Sequence, residues 1–493
     1  MVCLLSGKKT PQQKMRRFWL LLIFLFFGIF LFLKIVPFGH ISYRKDFTRI
    51  LQSGKGFIYN FTPVERVSDE NNRPRLIGDP VYFSVFTPRT FTKAKLTLSY
   101  YSNLTDQTPI IEAGVLVDKQ VWRYDLQPLK NQILDDLKNT WFKIEQDNLV
   151  LLQKNKNYES LDQFLIALEN NDLKDCSSGV TTCLATYNFN PNYQFKSTKS
   201  KATATNLDIA LRGNHVLWLY LNDGAWQFKT NFSAYSPETK NSPLKLILTK
   251  DQEVIKEVII EGEKVDWQNQ KSQTLNLEGN FSAGLYKLEI KISDDVIIDN
   301  IYSSSGLMVF THKFWPVSAS DEIKVFTEAN YLQVKALDPA NLQDIYFGEQ
   351  SFTVSAPYEQ FEYVVSGNDL KEIKFAKADL ILENNGVFSL SAEDYFNPLL
   401  KKVDRHFVLA DDLEYVIFDY QTPSLDVKDR QLNIASAEFR TKGTYREKGK
   451  YSFMLSIPGL KTENGEDDYL EIKEIKIEFT GRSLWQKIFK IDD

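Results

Sequence analysis

"GLYKLEIKI", residues 284–292, sets how the rest of this 493-residue chain is read. Tyr286, Leu288, Ile290 and Ile292 fall on one side of an extended chain, with Lys287, Glu289 and Lys291 on the other. Successive side chains of a strand point to opposite faces, so this period of two predicts a strand with one buried face. The pattern recurs in "KAKLTLSYY", residues 93–101, where Ala94, Leu96, Leu98 and Tyr100 oppose Lys95, Thr97 and Ser99. Near the end, Phe453, Leu455 and Ile457 alternate with Met454 and Ser456. An aromatic share of 13%, with 35 Phe and 23 Tyr, points the same way, because flat rings pack well on pleated surfaces.

Turn and helix signals divide these runs. Asp223-Gly224 and Asn385-Gly386 have the chemistry of two-residue hairpin turns, so hairpins are expected at both places. "SLDQFLIALEN" predicts a helix opened by a capping box of Ser160 and Gln163. "PLKNQILDDL" predicts a second helix, with Pro128 in its first turn and Leu129, Ile133 and Leu137 on one face.

The N-terminal stretch obeys a different rule. Phe18 to Leu33 is uninterrupted apolar sequence, and continuing through Lys34 to Phe38 brings it to about 31 Å of helix, matching a hydrocarbon core of roughly 30 Å. Trp19 suits one membrane interface, and the Lys34 ammonium can reach the other. No small-residue cleavage site follows in "KIVPFGHIS", so a retained membrane helix is expected rather than a cleaved signal. Lys8, Lys9, Lys14, Arg16 and Arg17 before the span favour a cytoplasmic N-terminus and an extracytoplasmic bulk at the cell membrane.

The fold class expected is therefore mainly β: a transmembrane helix followed by tandem β-sandwich domains, the first with a small helical insertion. The boundaries read as a tail at 1–17, the span at 18–38, a juxtamembrane linker at 39–55 and a first β-domain at 56–198. A connector at 199–205, within the polar run "FKSTKSKATATN", leads to a sandwich at 206–316. "FWPVSASDE" separates that from a β-rich domain at 320–480, and a short helix or tail occupies 481–493.

"SAGLYKLEIKI" resembles the G-x-Y-x-L strand of immunoglobulin-like domains, which implies that Tyr286 ties its strand to a neighbouring loop. "DPVYFSVFTPRTFTKAKLTLSYYSN" is similar in cadence to galactose-binding-like jelly rolls. The whole arrangement resembles single-pass envelope proteins of bacteria. These likenesses imply architecture and no activity.

Chemistry is sparse. Four histidines, His40, His215, His312 and His406, lie too far apart for a metal-ligand motif. No phosphate-binding loop or nucleophile elbow occurs, so no catalytic residue, metal or cofactor is expected. A net charge of −5 with interspersed signs gives no footprint for nucleic acid. "GVTTCLATYN" resembles the T-L-x-T-C strand of sortases, but no histidine stands between residues 41 and 214 to serve Cys183. Outside the cytoplasm Cys183 is expected to bridge to Cys176.

Aromatic side chains remain. Trp218, Tyr220 and Trp226 surround the Asp223-Gly224 turn, and Trp122 and Tyr124 follow an expected strand. Most such rings fill cores, and exposed ones on a sandwich stack on sugar faces. The function expected is a membrane-anchored, non-enzymatic binding or scaffolding protein whose partners are lipid and a glycan or envelope protein. The alternatives are a polysaccharide-processing enzyme with a carboxylate pair and an assembly subunit.

Overall fold

The computed structural model describes residues 11–35, 39–47, 61–70, 73–119, 122–176, 179–195, 201–251, 253–267, 272–318, 322–365, 367, 369–377, 379–464 and 468–481. Strands dominate. Ala94, Leu96, Leu98 and Tyr100 point inward along Lys93–Asn103, and Tyr286, Leu288 and Ile290 along Gly284–Lys291. The chain is mainly β and forms two compact units, which do not follow its order. One combines Met1–Asn139 with Tyr420–Asp493; the other is Thr140–Asp419.

The first unit is a sandwich of two antiparallel sheets. The seven-stranded sheet centres on Tyr469–Thr480, which pairs with His40–Asp46, Arg73–Leu76 and Lys93–Asn103. The five-stranded sheet contains Val81–Phe86, Lys450–Ser456, Ile110–Asp118 and Arg123–Asn131. Inward residues of both sheets share one core, where Phe453 meets Phe439 at 6.0 Å and Phe479 at 6.3 Å between ring centroids. The long strand Tyr469–Thr480 changes parity halfway. Its register shifts between Ile472 and Glu474, leaving Lys473 as an extra residue. That bulge lets Leu470 and Ile472 before it, and Ile475, Ile477 and Phe479 after it, all face the core.

This arrangement corrects the expected sequential domains. The last strand closes the first unit, so 320–480 is not one domain, and the 56–198 segment divides after Asn139. The 316–320 boundary also dissolves. Leu307–Phe314 pairs with Leu380–Phe388 inside a single eight-stranded sheet, and one core runs from Leu211 to Phe388.

Neither expected hairpin forms. Leu221 and Gly224 end strands that belong to different sheets, and Asp223 accepts a hydrogen bond from the Ala283 N–H at 2.6 Å. Gly224, at φ 117°, turns the chain from one sheet to the other. Asn385-Gly386 lies within the continuous strand Leu380–Phe388, where the register against Leu307–Phe314 shifts around His312. Here turn chemistry serves a bulge, with the Gly386 N–H bonded to the Asn384 side chain at 2.9 Å.

The second unit also carries a five-stranded sheet containing Leu184–Tyr187 and Tyr415–Asp419 in parallel. The helix Leu161–Glu169 buries Leu161, Phe164 and Leu168 in its core, and Ser160 caps it by accepting from the Gln163 N–H at 3.3 Å. The second helix expected from the sequence is Gln132–Leu137. It begins after Asn131, which caps it, because Pro128 and Leu129 belong to the strand Arg123–Asn131. The two helices lie in different units, so they are not one insertion in a first domain.

The N-terminal helix is Pro11–Ile35. Phe18 and Trp19 are each 59% exposed, and most apolar side chains on to Ile29 are exposed with them. Among the described residues no helix is long and apolar enough to cross a membrane. The described apolar side chains from Phe18 to Ile29 cover roughly 18 Å against a core of about 30 Å. Leu33 and Lys34 belong to the helix, but their side chains are outside the described set; Phe38, most of the 481–493 tail and part of the 199–205 connector are outside it too.

Candidate functional site

The outer face of the five-stranded sheet in the first unit carries an open groove of about 540 Å³. Four chain segments build it. Along Val81–Phe86 the alternation buries Val81, Phe83 and Val85, which turns Tyr82 and Ser84 outward. Their neighbour Lys450–Ser456 pairs Ser452 with Ser84 and Lys450 with Phe86, so Ser452 and Lys450 line the same face. Thr62 is fixed at the edge by reciprocal backbone bonds with Tyr82, of 2.9 and 2.7 Å. From the far side come Trp122 and Tyr124, at the start of Arg123–Asn131.

Two strands, Lys450–Ser456 and Ile110–Asp118, separate Tyr82 from Tyr124, and the second leaves a gap next to Tyr124. Gly114 lies beneath it, and a Cβ there would stand 3.3 Å from the Tyr124 Cβ and 2.9 Å from Leu126 Cδ2. With no side chain at Gly114, the Tyr82 and Tyr124 rings approach to 5.6 Å between centroids at a 37° tilt. Burial raises the pKa of both phenols, that of Tyr124 to about 12, so both remain neutral hydroxyls. Trp122 differs from its neighbours: it is 64% exposed and held at φ 48°. A bulky side chain seldom takes that left-handed conformation, and such positions gather at functional sites. The groove thus joins an exposed indole and a phenol pair to three hydroxyl side chains and an ammonium.

The other aromatic candidates have different surroundings. Trp226 is 2% exposed in the second unit's core, its indole N–H bonded to Ser303 Oγ at 2.9 Å. Trp218 and Tyr220 pack against the cluster of Leu307, Val309 and Phe396, with Tyr220 edge-on to Phe195 at 6.1 Å. These three rings are packing elements. Thr62, Tyr82, Ser84, Lys450 and Ser452 went unmarked in the sequence, because strand pairing across some 370 positions brings them together and no local pattern records that.

Cys176 and Cys183 are joined in a disulfide that closes a loop of sequence separation 7, with Cys183 buried against the helix Leu161–Glu169 cluster. The Tyr286 hydroxyl donates to the Ser282 carbonyl at 2.9 Å, tying strand to loop. Among the described residues no group of three or more His, Cys, Asp or Glu is arranged to hold a metal ion.

No protein-family model matches this chain, and no curated protein matches its sequence. Among solved structures it is similar to dimeric latent PorU from Porphyromonas gingivalis, at 10% identity and a TM-score of 0.17 over 61% of this chain. This chain covers 32% of that one. It is also similar to the tandem CBM51 modules of a family 98 glycoside hydrolase from Streptococcus pneumoniae, at 8% identity and a TM-score of 0.14, covering 39% of this chain and 97% of that one. A third is the N-terminal CBM22-1–CBM22-2 tandem domain from Paenibacillus barcinonensis, at 6% identity and a TM-score of 0.13, covering 56% and 94%. At such scores the likenesses decide nothing about function.

Proposed function

We propose that this chain is a membrane-anchored, extracytoplasmic binding protein that holds a glycan in the groove of Trp122, Tyr124 and Tyr82. The observation that carries the reading is the exposed Trp122 indole, fixed beside a phenol pair in an open, hydroxyl-lined groove. The C–H face of a sugar stacks on aromatic rings, while Thr62, Ser84, Ser452 and the two phenols offer donors and acceptors to its hydroxyls. An open groove admits a chain that continues past the site at both ends. Binding without turnover is part of the proposal.

Two features support the location. The described apolar side chains of the N-terminal helix are exposed around its circumference, a surface suited to lipid and costly in water. The Cys176–Cys183 disulfide fits an oxidising compartment. The reading is tested by glycan-array binding of the detergent-solubilised full chain beside its Trp122→Ala variant. Array binding that depends on Trp122 supports it, and an array that stays blank removes it.

A further inference from the structure

One end of the first unit is basic. His40 stands opposite Thr480, Thr480 opposite Lys93, and Lys93 opposite Arg440, so the four lie side by side across the seven-stranded sheet. Neighbouring strands are about 4.8 Å apart, which puts Arg440 about 14 Å from His40. All four side chains are exposed on the outer face.

Two turns carry the charge around the same end. The Thr441 N–H donates to the Thr92 carbonyl at 2.8 Å, which brings Lys442 next to the start of Lys93–Asn103. In the other sheet the Thr87 N–H donates to the Gly449 carbonyl at 2.8 Å, with Lys448 in the adjoining turn at φ 49°. The loop between Val81–Phe86 and Lys93–Asn103 adds Arg89, and a Cβ on Gly39 would stand 3.1 Å from its Nη2.

The acids nearby are already engaged. Glu447 is held by Lys119 at 2.9 Å, and one row further in Glu478 and Glu438 are matched by Lys476 at 2.9 Å and Lys95 at 3.4 Å. Lys93, Arg440, Lys442 and Lys448 are exposed and make no ion pair among the described residues. At the opposite end of the sheet the signs are mixed, Asp426 and Asp429 standing among Lys428 and Arg430.

Chain length fixes what this basic end lies near. Only residues 36–38 separate Ile35, the last residue of the N-terminal helix, from Gly39, so the two stand within about 14 Å of each other. With the helix in a bilayer, that distance holds the basic end at the level of the headgroups, which extend about 5–8 Å beyond each hydrocarbon face. A charged membrane surface acts over about 8 Å at physiological salt, so cations at this depth feel it.

We propose that this end of the first unit docks on anionic phospholipid headgroups, with Lys93, Arg440, Lys442 and Lys448 against their phosphates. Each such cation shifts the docking equilibrium by about fivefold. The proposal rests on the membrane reading above and is independent of the Trp122 groove.

The test is amide hydrogen exchange on the full chain inserted in lipid nanodiscs, of phosphatidylcholine alone or mixed with phosphatidylglycerol. Exchange at 87–93 and 440–449 is expected to be at least about fivefold slower in the anionic discs. The difference is expected to vanish at about 1 M salt, where the screening length falls to about 3 Å. Combining Lys93→Gln, Lys442→Gln and Lys448→Gln is expected to erase it at unchanged melting temperature, and the three matching Arg replacements to keep it. Equal exchange in the two discs, from a chain that stays inserted, overturns this proposal alone. So does slowing that survives the triple Gln replacement. Slowing by free glycerol phosphate in phosphatidylcholine discs would mark a site for soluble anions and overturns it as well. A chain that alkaline carbonate strips from the membrane overturns the membrane reading, and this proposal with it.

Discussion

The N–H of Gly481 donates to the carbonyl of Gly39 at 2.8 Å, closing one end of the pairing between His40–Asp46 and Tyr469–Thr480. Beyond this bond the ladder runs from His40 opposite Thr480 to Asp46 opposite Glu474. The segment just past the N-terminal helix is therefore an edge strand of the sandwich. It pairs with Tyr469–Thr480, an interior strand of the seven-stranded sheet.

Tyr43 sits at the middle of that ladder, buried, with its ring edge-on to Phe479 at 6.1 Å. Tyr43→Ala removes a large ring from the core and is expected to cost about 2–4 kcal/mol. Hydrogen exchange along Tyr469–Thr480 checks this. Faster exchange there is the predicted result, and unchanged protection would show that the edge strand contributes little.

Gly114 gives a finer test of the groove. A Cβ alone presses mainly on the far end of the Leu126 side chain, which can swing away. Gly114→Ala is therefore expected to leave glycan affinity within a factor of about two. Gly114→Val adds branches beneath Tyr124 and is expected to weaken binding about tenfold, roughly 1.4 kcal/mol. Equal effects from the two variants would mean that the position of Tyr124 does not matter.

His215 makes stability depend on pH. It is buried, its Nδ1–H donating to the Gly213 carbonyl at 3.0 Å and its Nε2 accepting the Trp315 N–H at 3.3 Å, which leaves no room for a second ring proton. Burial, with Lys313 nearby, lowers its value from 6.5 to about 3. The unfolded chain thus binds a proton that the folded chain refuses. The stabilisation is complete above pH 6.5 and is lost as pH falls toward 3, at up to about 1.4 kcal/mol per pH unit. His312 and His406 are lowered as well and act in the same direction. Denaturant titrations between pH 7 and pH 4 should show this slope, reduced in His215→Gln; identical slopes would contradict the assignment.

Reducing the Cys176–Cys183 bridge reopens a short loop in the denatured chain. The entropy of closing it corresponds to about 2–3 kcal/mol. Thermal unfolding with and without a phosphine reductant checks the value, and the Cys176→Ser variant should match the reduced protein.

Local physics was readable in the sequence and long-range pairing was not. Alternation placed Leu96, Leu98, Tyr286 and Leu288 in cores, because the burial of a strand face is written every second residue. The Ser160 cap was equally local. Asp223-Gly224 and Asn385-Gly386 specify a tight bend without saying which strands flank it, and the structure uses one to change sheets and the other to shape a bulge. Trp122 and Tyr124 were visible as candidates. Tyr82 lay unnoticed in a strand whose partner, Lys450–Ser456, is far along the chain.

The most direct measurement is calorimetric titration of the full-length protein and of Trp122→Ala with whichever glycan the array selects. Trp122 is largely exposed, so its truncation should leave thermal stability unchanged within about 0.5 kcal/mol. The account predicts a loss of binding of about 2 kcal/mol, roughly thirtyfold in Kd, at that unchanged stability. Undiminished affinity in the variant would contradict it.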